Sequence, residues 1–396
     1  MPEGRQRNIQ TTAAHAGETP LPTNTHPVAM PIFQSSVWSV PDVPTGEAIQ
    51  SGAEPGFVYA RNQHPNAAAL EQVLAELEGG EAGLVSASGM GAMFAALFTL
   101  LGPGTHLLAA REIYGGTFAL IEQDLKRWGA QVSYVDLTDL EAVARALRPD
   151  TKVMLAETIT NPTVQVCDLA ALASLCHEHG VHLVVDNTFA SPALCRPLAL
   201  GATISMNSAT KFLGGHADLT AGALVGPRPL IEAMRKTQVR TGAMLDPFAA
   251  WLCLRGIKTL GLRMERQSAN ALALGRWLQA QAAVEHVNYP GLATGSQGVI
   301  AGRLLPQGCG AMLSFAVRGD LSAADRLIRS LRLATFAPSL GDVATTVSHP
   351  MSTSHRAFTP AQRAALGIGD NLIRVNVGSE AIADIVADFE QALAEA

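Results

Sequence analysis

From about residue 66 onward, two textures alternate along the chain. Short apolar runs, "THLLAA", "QVSYVDL", "KVMLAET", "VHLVVDN" and "TISMNS", recur between longer stretches with apolar positions three and four apart. The short runs predict strands. The longer stretches "TFALIEQDLKRWG", "DLEAVARALRP" and "DLAALASLCHEHG" predict helices, as does "NAAALEQVLAELEGG" with its glycine stop. Strands alternating with helices in this way predict an α/β fold, with a mostly parallel sheet covered by helices on both faces.

The two ends of the chain read differently. The first 62 residues are rich in Pro, Thr, Ser and Gly, and "THPVAMPIFQSSVW" reads as extended. Beyond residue 246, "PFAAWLCLRGIKTLGLRMERQSANALALGRWLQAQ" reads as one long helical region. It is followed by the strand-like "AMLSFAV", a helix near "SAADRLIRSL", the strand-like "NLIRVNVG" and a terminal helix. The expected organisation is an N-terminal arm over 1–62, an α/β domain over 63–245 and a smaller C-terminal α+β domain over 246–396.

Composition narrows the functional classes. Hydrophobic residues make up 48% and charged residues 16%, which suits a well-buried enzyme-sized protein. The formal net charge is -6 and Lys and Arg form no run, so nucleic acid and anionic membranes are not expected partners. The five cysteines are odd in number and form no CxxC pair, which argues against a disulfide framework and fits a reducing cytosol. "MPEGRQRNIQ" lacks the apolar core of a signal peptide. The longest apolar run, Met90 to Leu101, falls short of the ~20 residues a bilayer span needs and reads as a buried helix. Cys176, His177, His179 and His182 straddle a helix end, a turn and a strand start, so they share no face and no metal site is expected.

In parallel sheets, ligand groups collect at the carboxyl ends of strands. "VHLVVDN" delivers Asp186 there, and "TISMNSATK" delivers Ser208, Thr210 and Lys211. Taken alone, Asp186 reads as a helix cap. Lys211 is harder to explain structurally, because burying an ammonium is costly unless it is paired or its pKa falls. The other four lysines have ordinary settings: Lys126 and Lys236 beside arginines, Lys152 in a turn and Lys258 in a helical stretch. A desolvated lysine is a competent amine nucleophile for Schiff-base chemistry. In "SASGMGAMFAA", small residues open a helix after the strand-like "AGLV", and free N–H groups there suit a phosphate. Ala92, Met93 and Phe94 follow Gly91, so the GxGxxG spacing of a dinucleotide site is broken. An imine-forming lysine, a strand-end carboxylate and a phosphate cradle together match pyridoxal phosphate. Ser208 and Thr210 would add phosphate hydroxyls, and Tyr114 in "REIYGGTF" would stack on the ring.

With these residues in place, the chain resembles the Cys/Met-metabolism family of fold-type I pyridoxal-phosphate enzymes. That family includes cystathionine γ-synthases, cystathionine γ-lyases, methionine γ-lyases and homoserine-ester sulfhydrylases. The resemblance rests on "YAR" (59–61), "SASGM" (86–90), "YGGTF" (114–118), "ETITNP" (157–162), "VVDNTFASP" (184–192), "SATKFLGGHADLTAG" (208–222), "SLGD" (339–342) and "IRVNVGSE" (373–380). It implies that Lys211 carries the cofactor covalently and shuttles protons, and that Asp186 pairs with the pyridinium nitrogen. Gly89, Met90, Ser208 and Thr210 would hold the phosphate, and Tyr114 would stack and assist the leaving group. Arg374 would clamp the substrate carboxylate, with Asn161 and Ser339 beside it. Tyr59 and Arg61 would reach the phosphate of a neighbouring subunit in a homotetramer of two catalytic dimers.

The family works at the γ-carbon of four-carbon amino acids, by elimination or by replacement with a thiol. Secondary positions divide its members. Gly116 stands where methionine γ-lyases typically carry a cysteine, and Gln238–Val239 where they carry Lys–Asp. Pro338 replaces the glutamate of animal-type cystathionine γ-lyases, and Val58 replaces an acidic residue frequent in cystathionine-specific enzymes. "GDVATTVSHP" and "RTGAMLDPFAAW" resemble the sulfhydrylases, whereas "TKFLGGHADLTAG" resembles the γ-lyases and γ-synthases. "ARNQHPN" departs from the usual "SRxxNPT". The resemblance favours a trans-sulfuration enzyme of the cystathionine or methionine γ-lyase or cystathionine γ-synthase type acting on an amino-acid substrate, with O-succinyl- or O-acetylhomoserine sulfhydrylase as the alternative. A phosphate-binding regulator on the same fold is the alternative outside catalysis.

Overall fold

The computed structural model describes residues 8–17 and 27–395. The larger sheet is built from β1 (Ala82–Ser86), β2 (His106–Ala110), β3 (Gln131–Val135), β4 (Thr151–Glu157), β5 (His182–Asp186), β6 (Ile204–Asn207) and β7 (Gly222–Gly226). Their order across the sheet is β1-β7-β6-β5-β4-β2-β3. Pairings β2–β3, β2–β4, β4–β5 and β5–β6 are parallel, while β7 is antiparallel to both β1 and β6. Only β7 therefore runs against the rest, and the carboxyl ends of the other six share one edge. Every residue of β1, β2 and β7 is buried, as a sheet covered on both faces requires. The predicted strands and the mostly parallel sheet are present.

The smaller sheet holds β8 (Val284–Asn288), β9 (Met312–Val317), β10 (Thr335–Phe336), β11 (Thr346–Ser348) and β12 (Leu372–Asn376). Its order is β10-β11-β12-β9-β8, antiparallel except for β10–β11. Helices Leu260–Gln279, Leu321–Ser330 and Ile382–Leu393 cover it with a separate apolar cluster that includes Leu274, Phe315, Leu327 and Phe389.

The apolar run beginning at Met90 is the helix Gly89–Leu100, buried on the sheet beside the helix Arg228–Thr241. No helix among the described residues is long and apolar enough to cross a membrane.

One expectation is corrected. The helical region after residue 246 is two helices, Pro247–Ile257 and Leu260–Gln279. Buried Arg263 explains the break. Its guanidinium donates to Gly256 O and Phe212 O, both at 2.8 Å, and to Thr259 Oγ1 at 3.1 Å. The Gly256 carbonyl at the end of the first helix, which also accepts from Thr259 N and Thr259 Oγ1 at 3.2 Å, thus gains a charged donor. The segment read as extended carries no helix over 27–38, and helices Ile9–Ala14 and Val43–Ser51 flank it. Ala13 and Ala16 are buried in the main core, while Val28, Val37 and Val43 stay exposed. Residues 1–7 and 18–26 of the expected arm lie outside the described residues.

Candidate active site

The carboxyl edge of the large sheet opens into a cavity of about 570 Å³. Loops after five strands deliver its polar groups. Ser88, Gly89 and Met90 follow β1, and Tyr114 follows β2. Asn161 follows β4, Asp186 closes β5, and Ser208, Thr210 and Lys211 follow β6. The small sheet contributes Arg374 from β12, and the chain between β10 and β11 contributes Ser339. The cavity thus gathers every predicted site residue except Tyr59 and Arg61.

Two buried carboxylates form its inner wall. Asp186 and Glu157 are register partners on adjacent parallel strands. Thr188 holds Asp186 Oδ1 through its backbone N–H at 3.0 Å and its hydroxyl at 2.5 Å. Asp186 Oδ2 has no hydrogen-bond partner among the described residues. Burial raises the Asp186 pKa against the pull of those Thr188 bonds. Glu157 is pushed well above the carboxylate range, first by burial and then by the charge of Asp186. Its two oxygens accept from Tyr114 N at 2.7 Å and Asn161 N at 3.2 Å. One strand-end carboxylate therefore fixes two of the loops that line the cavity.

Lys211 Nζ donates to Ser339 Oγ at 3.1 Å. Desolvation lowers its pKa, and the nearby Arg374 charge lowers it further. Arg374 is buried; its guanidinium donates to Asn161 Oδ1 at 2.8 Å and to Ser339 O at 3.3 Å. Burial pulls the Arg374 pKa down to about 10. No carboxylate among the described residues pairs with this guanidinium, so it is a desolvated cation with neutral partners there. Such a group is a receptor for an incoming carboxylate.

Ser88 caps the helix Gly89–Leu100 by accepting from Gly91 N at 3.0 Å. The N–H groups of Gly89 and Met90 and the hydroxyl of Ser208 have no partner among the described residues. A Cβ at Gly89 would lie 2.8 Å from Ser208 Cβ and would fill the space between these donors. Thr210 is less free: its hydroxyl donates to Ala221 O at 3.1 Å and accepts from Ala221 N at 2.9 Å. Open donors at a helix start, a carboxylate with one free oxygen and a desolvated amine fit pyridoxal phosphate group by group.

Tyr59 and Arg61 lie outside this cavity. Arg61 Nη1 donates to Val239 O at 3.0 Å, and its guanidinium sits 5.4 Å from the centroid of the half-exposed Tyr59 ring.

The fold and this donor set fit a pyridoxal-phosphate enzyme of the α/β class. The chain belongs to the Cys/Met metabolism PLP-dependent enzyme family, whose model matches residues 10–394. It is 42% identical over 387 residues to L-methionine gamma-lyase of Pseudomonas putida, covering 97% of this chain and 96% of that protein. It is 40% identical over 386 residues to O-succinylhomoserine sulfhydrylase of Pseudomonas aeruginosa, covering 98% and 95%. Its structure resembles cystathionine gamma-lyase from Lactobacillus plantarum in complex with L-serine, with a TM-score of 0.92, 35% identity, and 98% and 99% of the two chains covered.

Sequence reasoning gave no role to Glu157 or Thr188. Glu157 carried a usable signal, since it ends the apolar "KVMLAE" just as Asp186 ends "VHLVVD". Thr188 carried none, because its two bonds to Asp186 arise from a turn that forms only after the strand.

Proposed function

We propose that the chain catalyses γ-elimination or γ-replacement on a γ-substituted four-carbon amino acid, as a trans-sulfuration γ-lyase or γ-synthase. The observation that carries this reading is that one residue, Ser339, bonds both the desolvated Lys211 amine and the Arg374 guanidinium. A substrate carboxylate at Arg374 would set the α-carbon within reach of Lys211.

Bound pyridoxal phosphate supplies the electron sink for negative charge at the α-carbon. Lys211 would hold it covalently until substrate arrives. The Gly89 and Met90 N–H groups with Ser208 and Thr210 would receive its phosphate, and ionised Asp186 its ring nitrogen. The freed Lys211 amine, with its pKa lowered by burial, takes the α-proton and then serves proton transfer at the β-carbon. The Tyr114 hydroxyl donates to the departing γ-substituent. Asn161 and Ser339 orient Arg374 for the carboxylate. In elimination, water completes the balance and releases a 2-oxo acid and ammonia; in replacement, an incoming thiol adds at the γ-carbon.

Gly116 and Gln238 are the two positions at which the resemblance separates this chain from typical methionine γ-lyases. A Cβ at Gly116 would lie 2.5 Å from Tyr114 Cε1, so a cysteine there would displace the ring. Gln238 is buried and bonds Ser86 Oγ and, at 2.8 Å, Val85 O, which makes it a brace for β1. Homoserine-ester sulfhydrylase is the second reading, supported by "GDVATTVSHP" and by the relative from Pseudomonas aeruginosa.

The same reading takes residues 1–62 as an arm on a neighbouring subunit, 63–245 as the cofactor domain and 246–396 as the C-terminal domain. Tyr59 and Arg61 would then serve the partner's phosphate within a cytoplasmic homotetramer of two catalytic dimers. A substrate panel tests the function: cystathionine, methionine, homocysteine and O-acylhomoserines, each with and without added thiol. The expected products are 2-oxobutanoate or a new thioether from at least one member. A cofactor-loaded enzyme inert to all of them overturns the proposal.

A further inference from the structure

One wall of the cavity comes from the segment between β11 and β12, through Ser352, Thr353, Ser354 and Arg356. The segment is fixed along its length. His349 bonds Asp370 O and Ser352 Oγ through its two ring nitrogens, each at 2.9 Å. Thr353 Oγ1 donates to His349 O at 2.7 Å, and Ser354 Oγ shares a 2.9 Å bond with His355 Nδ1. Phe358 stacks on Phe118 at 4.2 Å between centroids, and the Arg363 guanidinium donates to the carbonyls of His355 and Phe358.

All three hydroxyls on this wall are therefore occupied. Arg356 is the exception: its guanidinium makes no hydrogen bond or ion pair among the described residues. Arg235 pairs with Glu71 at 3.0 Å and Arg329 with Asp325 at 2.7 Å, while Arg61, Arg263 and Arg363 bond backbone carbonyls; Arg356 does neither. The only carboxylates lining the cavity, Glu157 and Asp186, are committed at the inner wall. An exposed arginine on a mobile loop would be ordinary solvated surface. This one starts from a braced segment and lines the catalytic cavity.

The cavity thus presents two guanidinium groups without carboxylate partners: buried Arg374 for the α-carboxylate, and exposed Arg356. We infer that Arg356 is a specificity-determining residue that binds a carboxylate at the far end of the γ-substituent. The preferred substrates are then four-carbon amino acids with an acidic tail, whether a dicarboxylic ester or an amino-acid thioether, over those ending in acetyl or methyl. The inference rests on the proposed γ-chemistry.

The test uses cofactor-loaded enzyme and matched substrate pairs. O-succinyl- and O-acetyl-L-homoserine differ by a terminal carboxymethyl group, while cystathionine and methionine contrast an amino-acid tail with a methyl. Specificity constants are measured for wild type, Arg356→Ala and Arg356→Lys. In Arg356→Ala, the ratio of acidic-tail to neutral-tail substrate is expected to fall about 10- to 100-fold, mainly through KM, as for loss of a charged hydrogen bond. Arg356→Lys recovers part of the ratio, since it keeps the charge and loses the fork. The larger effect on the ester pair identifies an ester substrate; the larger effect on the thioether pair identifies a thioether. A ratio unchanged within about twofold, with turnover intact, overturns the role of Arg356 alone. Loaded wild-type enzyme that turns over none of the four overturns this inference; if it is also inert to homocysteine, with and without thiol, the γ-chemistry falls with it.

Discussion

The inner wall of the cavity and the Tyr59–Arg61 pair are both expected to meet the same cofactor, and they are built in opposite ways. Asp186, Ser208 and Lys211 project from the ends of buried strands, where Thr188, Glu157 and Ser339 fix their surroundings. Tyr59 and Arg61 follow a segment whose apolar residues Val28, Ile32, Val37 and Val40 stay exposed. The wall is preorganised by its own chain's core, and desolvation tunes its pKa values. The arm has no core of its own, and lying on a second copy would cover it. On the proposed reading, chemistry belongs to the wall and completion of the site to assembly.

Breaking the wall at its amine has the largest expected effect. Lys211→Ala should lower turnover by at least about 10³-fold, in line with the loss of a general acid–base group that is also the covalent anchor. The fold should survive, because Lys211 Nζ makes one hydrogen bond, to Ser339. Steady-state kinetics with a circular dichroism melt checks both halves.

Next comes the carboxylate clamp. Arg374→Ala should cost about 2–5 kcal/mol in the specificity constant, the range for truncating one partner of a buried charge pair. Cofactor absorbance should persist, since Arg374 contacts Asn161 and Ser339 and no phosphate donor. Arg374→Lys should restore only part, because its single ammonium cannot reproduce both contacts.

A smaller change is expected at the arm. Arg61→Ala removes an exposed cation that bonds only Val239 O in its own chain. Stability should shift by less than about 1 kcal/mol, as for most surface substitutions, while cofactor loss on dialysis should speed up. Equal cofactor retention would sever the arm from the site.

The last change lies beneath the wall. Asn187 and Asn207, next to Asp186 and Ser208, both donate to buried Glu78 Oε1, at 3.2 and 2.7 Å. Burial lifts the Glu78 pKa from 4.5 to about 7. The folded state therefore binds a proton that the unfolded chain has released, so stability falls as pH rises from 4.5 through about 7. Asn207 Oδ1 is buried without a hydrogen-bond partner among the described residues. Glu78→Gln keeps the neutral form, offers an N–H donor to such an acceptor and should remove the pH-dependent loss. The gain should be on the order of 1–3 kcal/mol at pH 8 and near zero at pH 5, read from melting temperatures.

The contrast between wall and arm also explains what was legible in the sequence. A polar residue ending an apolar run marks a strand end, so Asp186 and Lys211 stood out. Arg374 did not, because it lies inside the strand "NLIRVNVG"; only the family resemblance pointed to it. Arg356 sits in a loop whose rigidity comes from His349, Phe118 and Arg363, which no local pattern reveals. The break after Ile257 depends on Arg263 reaching back to Gly256, and the helical periodicity runs straight through it. Local pattern recorded what each strand buries, whereas contacts distant in sequence decided where helices stop and loops stiffen.

The most direct test of a wall from one chain completed by the arm of another mixes two crippled proteins, Arg61→Ala and Lys211→Ala. Subunit exchange is followed by native mass spectrometry on chains of different tag mass. A mixed dimer would hold one site with both residues intact and one with neither. At equal concentrations and full exchange, the account predicts a return to about a quarter of wild-type activity, well above the sum of the parents. Demonstrated exchange with no gain would mean that Arg61 serves its own chain, and the composite site would be contradicted.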